Sequence, residues 1–116
     1  LICTRKKEKP TDPLILKAMA YIKDNFSNAI TIEQVAKSVG LSKFYFIRLF
    51  RSEIGQNPHE YLMILRLNHS KILLKSTDKK ISEISLNCGF NSEIAFIQAF
   101  KHRNNITPTN FRMLRT

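Results

Sequence analysis

The segment KFYFIRLFR, residues 43–51, holds the side chains of this chain best equipped for recognition chemistry. Phe46, Leu49 and Phe50 recur at the three- and four-residue spacing of a helix stripe that turns inward. Phasing from that stripe puts Phe44, Ile47, Arg48 and Arg51 on other faces. An outward Arg48 presents a planar fork of N–H donors that can bond O6 and N7 of a guanine edge together, a contact worth about 1–3 kcal/mol of discrimination. Phe44 and Ile47 have no polar reach: exposed, they suit thymine methyls or sugars, and covered, they complete the core. Tyr45 can bond a phosphate or lean on the fold. Lys43 and Arg51 flank the set with positive charge that phosphates would neutralise.

The same arrangement returns once. Ile32, Val35, Ala36, Gly40, Leu41 and Ser42 reappear 49 residues later as Ile81, Ile84, Ser85, Gly89, Phe90 and Asn91. After one inserted residue, Phe46, Phe50, Gly55, Pro58 and Tyr61 recur at an offset of 50 as Phe96, Phe100, Asn105, Pro108 and Phe111. By that offset Lys43, Phe44, Tyr45 and Arg48 become Glu93, Ile94, Ala95 and Gln98, a surface without a cation. Gln98 suits adenine N6 and N7, while Ile94, Ala95 and Ile97 suit thymine methyls. Glu93 would accept from cytosine N4 or repel a phosphate. The second copy is therefore expected to make the weaker contact and to prefer A·T-rich sequence. Arg51 has Lys101 as its counterpart, followed by His102 and Arg103, and capped helix starts at Thr31 and Ile81 would direct N–H groups at phosphate.

Each copy reads as a short helix, a turn at glycine and a longer helix, the layout of a helix-turn-helix. Ordered structure is expected from Asp12-Pro13, an acid cap followed by proline, with Leu14, Leu16, Met19, Ala20, Ile22 and Phe26 as the apolar face. Thr31 and Gln34 spell a capping box, Gly40 a left-handed stop, and Ser42 the cap of the longer helix. Asn57-Pro58 opens a helix unbroken to Ser76-Thr77-Asp78, about 18 residues and roughly 27 Å. It reads as a spacer, with Tyr61, Leu62, Leu65, Leu73 and Leu74 poised to pack on both copies. The second copy runs from Ile81, turns at Gly89 and restarts at Asn91 or Ser92. Thr107-Pro108 begins a last short helix with Phe111 and Leu114. The expected fold is all-α, seven helices in two helix-turn-helix units. The expected organisation is a linker over 1–12 and a domain over 13–116, divided into 13–56, a connecting helix 57–76, and 77–116.

Composition bounds the partners. The 19 Lys and Arg against 9 Asp and Glu leave a net charge of +10 on 116 residues, and 43% hydrophobic content supplies a core. Such a balance favours polyanions, nucleic acid or an anionic surface. No apolar run reaches the roughly 18 residues that span a bilayer, and the start does not resemble a signal peptide, so an intracellular protein is expected. Cys3 and Cys88 are too few for a disulfide framework, and Cys88, standing where the first copy has Val39, reads as buried filler. His59, His69 and His102 show no metal-ligand spacing with either cysteine, so no metal, cofactor or nucleophile is assigned. The opening LICTRKKEKPTD reads as an interdomain tether, with Arg5, Lys6, Lys7 and Lys9 solvated.

The stretches VAKSVGLSKFYFIRLFRSEIGQNPHEYL and ISLNCGFNSEIAFIQAFKHRNNITPTNFR resemble the DNA-binding domain of AraC/XylS-type transcription regulators from about Pro13 to Arg115. The resemblance rests on joint spacings: Ile81, Gly89-Phe90, Phe96, Phe100-Lys101, Thr107-Pro108 and Phe111-Arg112. It implies an all-α output domain of a bacterial, cytoplasmic regulator, an activator, whose two recognition helices enter successive major-groove segments of double-stranded DNA. It also implies RNA polymerase as a partner and a sensing or dimerisation domain ahead of Leu1, the fragment itself being a monomer. Ser85 and Asn105 depart from the alanine and glycine usual in that family, both tolerably, since serine is small and asparagine accepts positive φ. A basic helical scaffold binding a protein or an anionic surface is the alternative. An enzyme lacks a metal set, a phosphate-binding glycine loop or paired catalytic groups.

Overall fold

Cap chemistry sets most of the helix boundaries. The computed structural model describes residues 12–114; Cys3, the basic run from Arg5 to Lys9 and Arg115 lie outside them. Among the described residues there are seven helices and no strand: α1 Pro13–Asn25, α2 Ile32–Ser38, α3 Lys43–Ile54, α4 Pro58–Ser76, α5 Ile81–Asn87, α6 Glu93–Asn104 and α7 Pro108–Met113. Ahead of Pro13, the Asp12 carboxylate accepts from the Leu14 N–H at 2.9 Å. Thr31 and Gln34 make both bonds of the capping box, at 3.1 and 2.9 Å. The hydroxyls of Ser42, Ser92 and Thr107 accept from the N–H of Tyr45, Ala95 and Asn110, and the Asn57 side chain accepts from Glu60 at 2.8 Å. Each such cap is worth about 1 kcal/mol relative to alanine.

The start of α5 departs from expectation. Its capping residue is Lys80, which has no acceptor to offer, so only half of a box forms: the Lys80 N–H donates to the Glu83 carboxylate at 3.1 Å. Gly40 and Gly89 turn at φ of 74° and 91°, and the longer helices end in the left-handed region at Gly55, φ 89°, and Asn105, φ 59°. Asparagine there does the work of its glycine counterpart, as the sequence suggests.

Among the described residues the chain divides into two compact units, one comprising 12–25 with Ile30–Met63, the other Phe26–Ala29 with 64–114. In the first, α1 packs on α2 and α3. Its core is built from Ile15, Ala18 and Ile22 of α1, Val35 and Ala36 of α2, Phe46 and Phe50 of α3, and Leu62. The inward face of α1 thus keeps Ile22 of the expected set but not Leu14, Leu16 or Ala20. Leu14 and Leu16 stay 37% and 48% exposed, and Phe26 belongs to the other unit. Ile15, Ala18 and Ile22 keep the three- and four-residue spacing of one stripe, and Leu14 and Leu16 lie on either side of it. Phe46, Phe50 and Tyr61 form an aromatic row with centroids 5.6 Å apart at each step.

The second unit repeats that row as Phe96, Phe100 and Phe111, at 5.8 and 5.4 Å, and extends it with Phe90, 5.2 Å from Phe96. Burying the fully covered rings, Phe46, Phe50, Phe96 and Phe100, contributes about 1.5–3 kcal/mol each. Leu67, Leu74, Ile84 and Cys88 complete the core, while Leu114 is 66% exposed. Ser85 is buried and gives its hydroxyl hydrogen to the Ser82 carbonyl at 2.7 Å, which is why serine is accepted here. Two arginines tie backbone carbonyls in loops and at a helix end. Arg66, buried on α4, donates from Nε to the Phe26 carbonyl at 2.8 Å and from Nη2 to Asn28 at 2.9 Å, with its guanidinium 5.9 Å from the Phe90 ring centre. Arg112 on α7 donates to the carbonyls of Leu74, Thr77 and Lys79 at 3.1, 3.1 and 2.7 Å, closing the C-terminal end of α4.

Candidate nucleic-acid interface

Anchoring Phe46 and Phe50 in the core fixes what the rest of α3 can present. At 100° per residue, Ile47, Arg51, Phe44 and Arg48 fall in one arc of about 100°, in that order round the helix. Phe44 is 77% exposed, Arg48 and Arg51 are exposed, and Ile47 is half-buried at the edge. Of the open assignments, this places Phe44 free of the core and Ile47 between core and surface. Lys43 and Tyr45 border the arc on opposite sides, both exposed. The Arg48 guanidinium carbon stands 6.0 Å from the Tyr45 ring centre.

Helix α6 reproduces this arrangement residue by residue. Glu93, Ile94, Ala95, Gln98 and Lys101 are exposed, Ile97 is half-buried, and Phe96 and Phe100 are inside, the same sequence of environments as in α3. Only the chemistry differs: Ile97, Lys101, Ile94 and Gln98 fill the arc, with Glu93 and Ala95 at its borders. His102 and Arg103 are exposed near the C-terminal end of α6, where positive charge is favourable. Arg103 lies about 140° round the helix from Gln98, so it stands apart from the others. Its counterpart in α3, Glu53, is buried and accepts the Asp12 N–H at 3.1 Å.

The elements bring further residues to these faces. In the first unit a groove runs past the starts of α2 and α3 and is lined by Thr31, Lys37, Lys43 and Phe44 among others. Thr31 has its own N–H taken by Gln34, which leaves its hydroxyl hydrogen to give. Lys37 is missing from the sequence-based set; the signal for it is position, one turn after Glu33 on the exposed side of α2, and its repeat counterpart is Leu86, 67% exposed. In the second unit Glu93 shares a cleft with a second acid, Asp78, and with Lys79, Lys80 and Arg112. Lys79 and Lys80 are exposed, so cations flank the acidic end of α6 although its own face carries none before Lys101. Among the described residues no group of His, Cys, Asp and Glu is placed to hold a metal, and no helix is long and apolar enough to cross a membrane.

Burial pushes the Cys88 thiol up to about 11, against the partial relief of the nearby Arg66 charge. Burial likewise pulls the Arg66 guanidinium below its ordinary value. Cys88 is fully buried, as expected of an apolar filler, and takes no part in the exposed faces.

A family model described as a helix-turn-helix domain matches residues 35–113. The xylose operon regulatory protein of Escherichia coli K12 is 34% identical over 102 residues, 88% of this chain and 26% of that protein. The C-terminal domain of AraT, a response regulator from Geobacillus stearothermophilus, superposes with a TM-score of 0.87 at 30% identity, covering 90% of this chain and 88% of that one. The DNA-binding domain of AdpA, described as a global transcriptional factor and solved in complex with a target DNA, gives a TM-score of 0.82 at 27% identity over 89% and 92% of the two chains. The chain spans about a quarter to just over a third of the length of the sugar-operon regulators it matches.

Proposed function

Because the chain belongs to the AraC-type family of helix-turn-helix transcription regulators, whose DNA-binding domain it supplies, we propose that it reads double-stranded DNA sequence-specifically through α3 and α6. The observation that carries this reading is the matched exposure of the two helices. Two sets of side chains able to read base edges stand on equivalent arcs, each flanked by a phosphate-seeking charge. Arg48 would take a guanine edge, with Phe44 and Ile47 against thymine methyls or sugars and Tyr45 alongside. Gln98 would take adenine, with Ile94, Ala95 and Ile97 against methyls and Glu93 toward cytosine. Thr31, Lys43, Arg51, Lys101, His102 and Arg103 would contact phosphates, joined by Lys37.

The expected site has two parts about one helical turn of DNA apart. The first unit supplies the guanine contact and most of the ion pairs; the second supplies A·T preference and weaker attachment. The whole regulator would act inside the bacterial cell as an activator that engages RNA polymerase, with sensing placed in another domain.

Selection of bound sequences from a random duplex pool at physiological salt tests this. A two-part motif with centres about 10 base pairs apart is expected. Arg48→Ala should weaken binding to it by about 1–3 kcal/mol and relax preference at one base pair. Equal loss on every sequence would make Arg48 a phosphate contact, and salt-sensitive binding with no motif would leave a nonspecific basic module.

A further inference from the structure

We propose that Tyr45 is a positioning residue for Arg48, holding the guanidinium ready for the base edge instead of contacting a base itself; the proposal rests on the reading of Arg48 given above. The two residues are three apart on α3, so their side chains meet on the helix surface. The guanidinium carbon lies 6.0 Å from the Tyr45 ring centre, within the range in which a cation is attracted to a ring face. The chemistry of the contact matters as much as its distance. A ring engages the flat face of a guanidinium and leaves the in-plane N–H donors free, and those are the groups that grip O6 and N7 of guanine.

Position and exposure agree with this division of labour. Tyr45 sits about 60° beyond Arg48 round the helix, at the margin of the reading arc. It is 48% exposed, whereas Phe44, inside the arc, is 77% exposed. An unsupported arginine on a surface helix samples many rotamers and loses that freedom on binding. A ring beside it removes part of the loss beforehand. In α6 the equivalent pair is Ala95 and Gln98, so the second reading residue has no such support. The difference gives the first unit a rigid reader and the second a loose one.

A double-mutant cycle on the duplex obtained by selection tests the proposal. Arg48→Ala, Tyr45→Ala, Tyr45→Phe and the double alanine variant are compared by affinity for that duplex and for one altered at the base pair whose preference Arg48→Ala relaxes. Tyr45→Ala is expected to weaken binding about two- to fivefold, the range set by an exposed cation–ring contact. The loss should fall on discrimination at that same base pair. Tyr45→Phe keeps the ring and should behave as the parent, and Tyr45→Ala should have no effect once Arg48 is alanine. Thermal melting of each variant checks that the fold is intact, as expected for two exposed side chains.

An undiminished effect of Tyr45→Ala in the Arg48→Ala background overturns the proposal. So does a Tyr45→Phe variant as weak as Tyr45→Ala, which would make the hydroxyl a direct DNA contact. If Arg48→Ala relaxes no base preference, the base-reading assignment of Arg48 falls separately, and the coupling in affinity still decides whether Tyr45 positions it.

Discussion

Alanine at Gly40 and alanine at Gly89 make a matched pair of perturbations. Both glycines sit at the turn between the short and long helices of their unit, at φ of 74° and 91°. Either substitution therefore forces an L-residue into the left-handed region, at a cost of about 1–2 kcal/mol. Beyond that the sites part. A Cβ at Gly40 meets nothing within 4 Å, whereas one at Gly89 would lie 2.5 Å from the Phe26 carbonyl oxygen, 2.9 Å from Arg66 Nε and 3.1 Å from the Asn28 carbonyl oxygen. Two of these are backbone atoms, and the third is the donor bonded to them at 2.8 and 2.9 Å through its guanidinium. No flexible chain end is available to step aside, so the 26–29 segment must withdraw and the Arg66 bonds stretch. A hydrogen bond to a charged group is worth about 1.5–3 kcal/mol. Losing one of the pair along with the backbone penalty gives about 2.5–5 kcal/mol for Gly89→Ala against about 1–2 for Gly40→Ala. Urea unfolding followed by far-ultraviolet circular dichroism measures both. Equal losses would refute the claim that Gly89 is held by close approach as well as by its torsion angle. An Arg66→Met background sharpens the comparison, since part of the Gly89→Ala cost should vanish there.

Two further outcomes follow from the second unit. Arg112→Lys replaces a planar fork by a point charge that cannot serve three carbonyls in their present places; a loss of about 2–3 kcal/mol is expected, with faster amide exchange over the last turn of α4, and unchanged exchange there would show the clamp to be incidental. Cys88 should be inert to thiol reagents at pH 8 until urea is added, because burial raises its pKa to about 11. The sign of its pH effect follows: the folded thiol keeps a proton that the unfolded thiol releases from about pH 9, so stability declines between about pH 9 and 11. That part of the decline should be missing in Cys88→Ala, and identical pH profiles of the two proteins would overturn it.

Local chemistry was legible in the sequence, and long-range chemistry was not. Thr31 with Gln34, Asn57-Pro58 and Thr107-Pro108 announce helix starts because a cap and its acceptor lie within three residues of each other. Phe46 and Phe50 phase α3 correctly, and hence the exposure of Arg48, because one buried stripe determines the opposite face; the same phasing leaves Phe44 and Ile47 open between core and surface, which packing decides. On α1 two apolar sets interleave, and Leu14 and Leu16 compete with Ile15 and Ala18; only the packing on α2 and α3 decides between them. Arg66 and Arg112 carry no local signal at all. Their acceptors are backbone carbonyls 33 to 40 residues away, and a carbonyl has no residue type by which to be recognised. Lys80, standing where the first copy has the cap Thr31, shows the limit of the repeat itself: the fold is copied more faithfully than the cap.

The tetrapeptide Phe26–Ala29 makes the two units poor candidates for exchange. A recombination that joined the residues from Ile64 onward to another regulator's first half would move the Arg66 donor without its two acceptors, and would seat Gly89 against whatever carbonyls the new host supplied. A chimera made at that boundary should therefore inherit a weakened second half unless residues 26–29 travel with it.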